Sequence, residues 1–196
     1  MSAAGGPDAE FLGLERAGDG DVFGFVVEPH LTRLDGQLYG GTAIAASITA
    51  AELVSDRPAV WMTTQFVATA PGGSRIRLEA EVLAPGRRTN QVRVTGTDGS
   101  GAVMFASLGA TGHRRDDGLT GAFEHRSEVG PPLDSRPSDG PFAAMLRRAG
   151  VDAPPLPAGL SFNAVAEYRE PELRGHPDAG PGRSCMWVRR RDGRPV

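Results

Sequence analysis

Tyr39-Gly40-Gly41 opens a run of small and apolar residues, Thr42 to Val54, in which Glu52 is the single charge. Glycines at the start of a helix strip side chains from its positive end, where unpaired backbone N–H groups can meet an oxygen atom of a ligand. Donors of that kind polarise a carbonyl; hydrolysing what they hold then needs a positioned water and a base. Thr64 and Gln65, adjacent in an apolar stretch, carry groups that orient water, and Asp35 supplies an acid in the loop ahead of the helix. Arg87 and Arg88 at a hairpin tip, and Arg189 to Arg191 near the end, are bidentate donors suited to phosphates. Each group also has an ordinary structural role. Glycines permit tight packing, Thr favours strands, Asp35-Gly36 is turn chemistry, and charged turns are solvated.

Composition removes several classes. The net charge of −3 leaves no broad basic field for nucleic acid. All 21 basic residues are Arg, which fits the codon usage of a GC-rich genome. One cysteine, Cys185, excludes an internal disulfide framework and a Cys-based zinc site, and fits a reducing cytoplasm. Met1 to Glu10 lacks the basic and apolar regions of a signal peptide. No window reaches the roughly 20 apolar residues that span a membrane. His30, His113, His125 and His176 are scattered without metal spacing, and no Gly-x-Ser-x-Gly or Gly-rich phosphate loop occurs. The expectation is a cytoplasmic protein without metal or cofactor.

The elements that must position these groups follow from pattern. Thr42 to Val54 is predicted as a helix, with Ile44, Ile48 and Ala51 sharing a face, ended by Ser55-Asp56-Arg57-Pro58. A helix with almost no polar face has to be wrapped. Asp21 to Glu28 precedes it as a strand, and Phe11 to Leu14 is a helical turn or short strand. Ala59 to Ala68, Arg75 to Leu83, Thr89 to Gly96 and Ala102 to Ala110 follow as strands in a plain meander, turned at Pro71-Gly72-Gly73, Pro85-Gly86 and Asp98-Gly99. Thr64 and Gln65 point to opposite faces of their strand. Glu52, near the helix's C-terminal end, reads as a solvated surface residue. The fold class is α+β: a five-stranded antiparallel sheet wrapped round a central buried helix, the hotdog fold.

Beyond Gly112 the composition changes. Residues 113–160 are a linker with one short helix at Phe142 to Ala149, and residues 161–196 hold two more strands, Phe162 to Leu173 and Ser184 to Arg190. Val26-Val27-Glu28-Pro29-His30-Leu31 matches Tyr168-Arg169-Glu170-Pro171-Glu172-Leu173, each at the end of a predicted strand. The organisation expected is a hotdog over residues 1–112 and the opening strands of a second, incomplete hotdog over 161–196.

The Tyr39-Gly40-Gly41 helix start, Trp61-Met62-Thr63-Thr64-Gln65-Phe66, Ala70-Pro71-Gly72, the Leu83 to Val94 hairpin and Val103 to Leu108 resemble the first hotdog of the type II (TesB-like) acyl-CoA thioesterase family. Met186-Trp187-Val188-Arg189 resembles the entry to that family's second hotdog. The resemblance implies lipid metabolism: hydrolysis of acyl-CoA to free acid and CoA by tandem hotdogs, without cofactor. It also implies that an acid, a hydroxyl and an amide in the second hotdog position the water. Their counterparts in a second hotdog are not in this sequence. In the first, the acid's place falls near Ala50 and the hydroxyl's near Thr64.

The site expected is therefore Thr64, Gln65 and Asp35 as catalytic residues, with Tyr39, Gly40, Gly41, Arg87 and Arg88 binding an acyl-CoA substrate. Two readings stand, a hydrolase and a non-catalytic acyl-thioester binder or scaffold half. A hydratase would need an Asp and a His in fixed spacing near the helix, which are missing. An open sheet edge makes pairing expected, as a homo-oligomer such as a dimer or with a second hotdog.

Overall fold

The computed structural model describes residues 5–18, 20–113, 131–140, 143, 146, 149–152, 161–171 and 186–192. The chain divides into two compact units, Met1–Gly118 and Leu119–Val196. The first contains α1 (Pro7–Leu12), β1 (Glu15–Arg16), β2 (Val22–Val26), a 3-10 turn at Pro29–Leu31, α2 (Gly40–Ser55), β3 (Ala59–Phe66), β4 (Arg75–Ala84), β5 (Thr89–Thr97) and β6 (Val103–Gly112). Phe11 and Leu12 close α1, which Gly13 ends in the left-handed conformation.

Strand positions follow the alternation of the sequence, but strand order does not. The sheet has six strands in the order β1-β2-β4-β5-β6-β3, every pair antiparallel. The meander expected from β3 to β4 is thus corrected. β3 pairs with β6, from Ala59 opposite Thr111 to Phe66 opposite Phe105, and forms one edge of the sheet. The physical reason lies in residues 67–74, which are too long for a tight hairpin and whose backbone groups are claimed elsewhere. The amides of Val67 and Ala68 donate to the Met104 carbonyl, Leu38 donates to Ala70, and Gly72 donates to Gly36. Pro71-Gly72-Gly73 is a crossover pinned to the loop before α2, not a hairpin turn.

The sheet wraps α2 as expected, on a different stripe. Ala43, Ala46, Ser47, Ala50 and Ala51 are buried. They recur at the i, i+3, i+4, i+7 spacing of one helix face. Ile44 is 36% exposed and Ile48 only half-buried, so the face predicted from Ile44, Ile48 and Ala51 is corrected. Small side chains let the strands close on the helix axis. The volume this leaves is filled from the sheet, by Phe23 and Phe25 of β2, Ile76 and Leu78 of β4, Val92 and Val94 of β5, and Phe105 of β6. Glu52 is a joint rather than a solvated residue: its Oε1 accepts from the Ala59 amide at 2.7 Å and fixes where β3 leaves the helix.

In the second unit, β7 (Arg136–Ser138), β8 (Ala166–Glu170) and β9 (Trp187–Arg190) form an antiparallel sheet in that order. β7 falls in the stretch expected as linker. Of the helix expected over Phe142 to Ala149, Ala143 and Leu146 are helical and Ala149 lies in a turn; its other positions lie outside the described residues. On one face of β8, Glu167 bonds Arg189 at 2.7 Å and Arg169 at 2.9 Å. The Arg189 and Arg169 guanidiniums hold its carboxyl below the usual carboxylate range.

Enlarging the buried stripe should be felt at once. Ala46→Leu is expected to lower unfolding free energy by about 1–3 kcal/mol through overpacking, with Ile44→Leu within about 0.5 kcal/mol of the parent. Glu52→Ala should cost about 1.5–3 kcal/mol, the range for a hydrogen bond to a charged group. Denaturant titration measures all three.

Candidate functional site

α2 begins without protection. Its N-cap, Tyr39, makes no side-chain capping bond, and the first turn holds no acidic residue. The amides of Thr42 and Ala43 both donate to the Tyr39 carbonyl, at 3.0 and 3.2 Å, and Tyr39 donates to Leu31. The carbonyls that Gly40 and Gly41 would reach four residues back lie before the helix, and among the described residues no backbone or side-chain bond claims their N–H groups. A Cβ on Gly41 would stand 2.4 Å from the Tyr39 ring, and one on Gly40 would stand 3.2 Å from the Phe66 ring. Two aromatic rings therefore flank a pair of open donors, and the glycines are what leaves room for them. Tyr39 is 37% and Phe66 56% exposed.

The loop that delivers the chain to this point is a small closed turn. Thr32 bridges Leu38, Gln37 bridges Pro71, and the Thr42 hydroxyl donates to the Leu31 carbonyl at 3.1 Å. Asp35 sits in this turn, exposed, with Gly36 following at φ 75. Its carboxylate accepts from Arg33 at 2.5 and 3.1 Å and from the Gln37 amide at 3.2 Å. Desolvation pulls its pKa up, but the Gln37 amide and Arg33 outweigh it and hold the carboxyl below its ordinary value. Its bonds to Arg33 and to the Gln37 amide shape the loop.

Thr64 and Gln65 take opposite faces of β3 as the alternation requires. Gln65 is exposed on the outer face. Thr64 turns toward the helix and meets Ser107 of β6 at 2.8 Å, and Ser107 donates to Ser47 of α2 at 2.9 Å. The Ser47 hydroxyl ends the chain on the Ala43 carbonyl at 2.9 Å. Ser47 and Ser107 are fully buried, Thr64 half-buried. Sequence reasoning missed both serines. The available signal was a Ser amid the alanines of a helix that had to be wrapped, where a buried hydroxyl demands a partner.

Arg87 and Arg88 are not brought to the glycines. They lie exposed in the β4–β5 turn, whose Gly86 carbonyl accepts from Arg57 at 2.9 Å, just past the far end of α2. The 16 residues of α2 correspond to a separation of about 24 Å at about 1.5 Å per residue. Arg189 and Arg190 are ion-paired, with Glu167 and Asp192. Among the described residues no group of His, Cys, Asp and Glu could hold a metal ion, and no helix is long and apolar enough to cross a membrane.

A six-stranded antiparallel sheet around one central helix, with a glycine-opened helix start at its rim, is a hotdog fold. Residues 29–111 match the family model described as the acyl-CoA thioesterase N-terminal domain. No curated protein matches the sequence. Among solved structures, the chain is similar to a protein of Novosphingobium aromaticivorans DSM 12444 provisionally described as a thioesterase, at 30% identity and a TM-score of 0.68, over 92% of this chain and 65% of that one. A provisionally described thioesterase II of Thermobifida fusca YX shares 17% identity at a TM-score of 0.64, over 84% of this chain and 54% of that one. The PaaI protein from the E. coli phenylacetic acid degradation operon shares 16% identity at 0.51, over 54% of this chain and 87% of that one. The chain thus spans 65% and 54% of the lengths of the first two.

The open donors have a direct readout. By amide hydrogen exchange, Gly40 and Gly41 should exchange orders of magnitude faster than Ala46 and Ser47 of the same helix, whose amides bond within it.

Proposed function

We propose that the chain acts on acyl thioesters, hydrolysing acyl-CoA to a free acid and CoA. The observation that carries this is the pair of unclaimed N–H groups at Gly40 and Gly41, at the positive end of a helix and between two aromatic rings. A thioester oxygen set there is polarised by both donors and by the helix dipole, and polarisation strengthens as the oxygen gains charge. Tyr39 and Phe66 wall the position from either side. In this reading Thr64 holds the attacking water, and Gln65, on the outer face, serves a neighbouring subunit. Arg87 and Arg88 lie outside this site, so phosphate contacts by them would need an extended CoA or a second subunit.

A second reading, a binder or scaffold half that does not turn over, is favoured by one specific feature. Among the described residues no carboxylate joins the Thr64–Ser107–Ser47 chain: Asp35 is held by Arg33 and Gln37, and Glu52 by Ala59. A thiol-release assay across acyl-CoAs decides between the two. Release above background supports the hydrolase, and thermal stabilisation by a non-hydrolysable acyl-CoA thioether without release supports the binder.

Pairing with a second hotdog, from another copy or a further domain, forms part of the proposal. Among the described residues β3 is an open edge whose Val60, Trp61 and Phe66 are 50–60% exposed, and it carries no charge that would keep other strands away. The short antiparallel pair β7–β8 repeats the β1–β2 pair, and both β2 and β8 lead into a Glu-Pro step, which supports the second unit as the opening of another hotdog.

Gly41→Val tests the central claim. Its side chain would collide with the Tyr39 ring and occupy the donor position. Thioether-induced stabilisation is expected to vanish, with the variant still cooperatively folded by circular dichroism; unchanged ligand stabilisation would refute the role of the helix start.

A further inference from the structure

The hydroxyls of Thr64, Ser107 and Ser47 each own one proton, and their partners fix where each goes. The Ala43 carbonyl can only accept, so Ser47 must donate to it, at 2.9 Å. Ser47 has then no proton left, so Ser107 donates to Ser47, at 2.9 Å. Ser107 is spent in turn, so the 2.8 Å contact with Thr64 requires Thr64 to donate inward. The chain has one self-consistent direction. Two fully buried serines keep it from exchanging with water. With its proton committed to Ser107, the oxygen of half-buried Thr64 has only lone pairs to offer any other group.

We infer that Ser107 and Ser47 are positioning residues that lock Thr64 as an obligate hydrogen-bond acceptor, so that a group bound against Thr64 has to bring an O–H. This rests on the proposed thioester site. Phe66, two residues along β3 from Thr64 on the same face, lies at Gly40. Two residues of strand put Thr64 about 6.7 Å from Phe66 along β3. One O–H donor held by Thr64 extends its reach: about 2.8 Å to the Thr64 oxygen and about 3–3.5 Å from the oxygen of that donor to a carbonyl carbon in attack geometry. A water fits these distances, and so does a hydroxyl at C3 of the acyl chain. A thiol ester lacking both leaves Thr64 without a donor.

The same direction sets a limit on chemistry. A chain ending on a backbone carbonyl cannot take up a proton, so it orients a water without deprotonating it.

The test uses the full chain with thioether analogues of octanoyl-CoA and 3-hydroxyoctanoyl-CoA for binding, and octanoyl-CoA for thiol release. Ser47→Ala keeps the Ser107 hydroxyl in place and suits a helix, so it preserves the fold while freeing the direction of the chain. Ser107→Ala removes the link itself. If Thr64 reads a ligand hydroxyl, the wild-type protein binds the hydroxylated thioether about tenfold more tightly, and both variants lose that preference while still binding the plain analogue. If Thr64 holds water, the two analogues bind alike, and both variants lower thiol release at least tenfold at saturating substrate with little change in KM. Either result supports the inference and identifies the donor. It is overturned if both variants keep the wild-type preference and release rate within twofold while Gly41→Val abolishes binding, because the thioester site then stands without the lock. Full binding by Gly41→Val removes the thioester site and the inference with it.

Discussion

Everything in the first unit depends on how closely the sheet can approach α2. A stripe of alanines and one serine leaves little side-chain volume on the helix, so the bulk of the core comes from the strands. Close approach in turn makes Ser107 reach Ser47, and makes Phe66 lie against a bare Gly40. A Leu-rich helix would hold the sheet about one side chain further away and break both contacts. Packing and the candidate site are therefore one construction.

The helix start shows the same economy. Glycines cost about 0.5–1 kcal/mol each in a helix relative to alanine, and an acidic or hydroxyl cap would have stabilised this terminus by about 1 kcal/mol. Tyr39 offers no such cap, and Gly40 and Gly41 give open donors in place of stability. Forgoing cheap local stability where the backbone is most electropositive is consistent with a terminus kept free for an oxygen of another molecule. The hydroxyl chain is complementary in sign. The glycine amides are donors only, and Thr64, with its proton turned inward, is an acceptor only. A ligand bearing a carbonyl and an adjacent O–H would satisfy both.

How much was legible in the sequence varies with the range of the interaction. The helix, expected over Thr42 to Val54 and found over Gly40–Ser55, came from local chemistry to within two residues. So did the alternation of Ile76, Leu78 and Ala80 and the opposite faces of Thr64 and Gln65. Strand order failed at β3 because its partner β6 lies some forty residues further on. The local Pro71-Gly72-Gly73 signal was consistent with a hairpin, and only the hydrogen bonds to Gly36 and Leu38 made it a crossover. The buried stripe failed because bulk was taken as the mark of a core face, when the wrapped geometry demands smallness there.

The sequence by itself determined the class of fold, a buried helix inside an antiparallel sheet, and the place where its backbone is bare. Hydrophobic period and glycine position are local properties and survive without coordinates. Only the tertiary structure decided which candidates meet. It joined Thr64 to two serines that no spacing linked, engaged Asp35 with Arg33, and put Arg87 and Arg88 at the opposite end of α2. Those outcomes depend on which strands lie side by side and how near they come to the helix. Strand pairing and close packing are set by long-range contacts, which one-dimensional patterns do not encode.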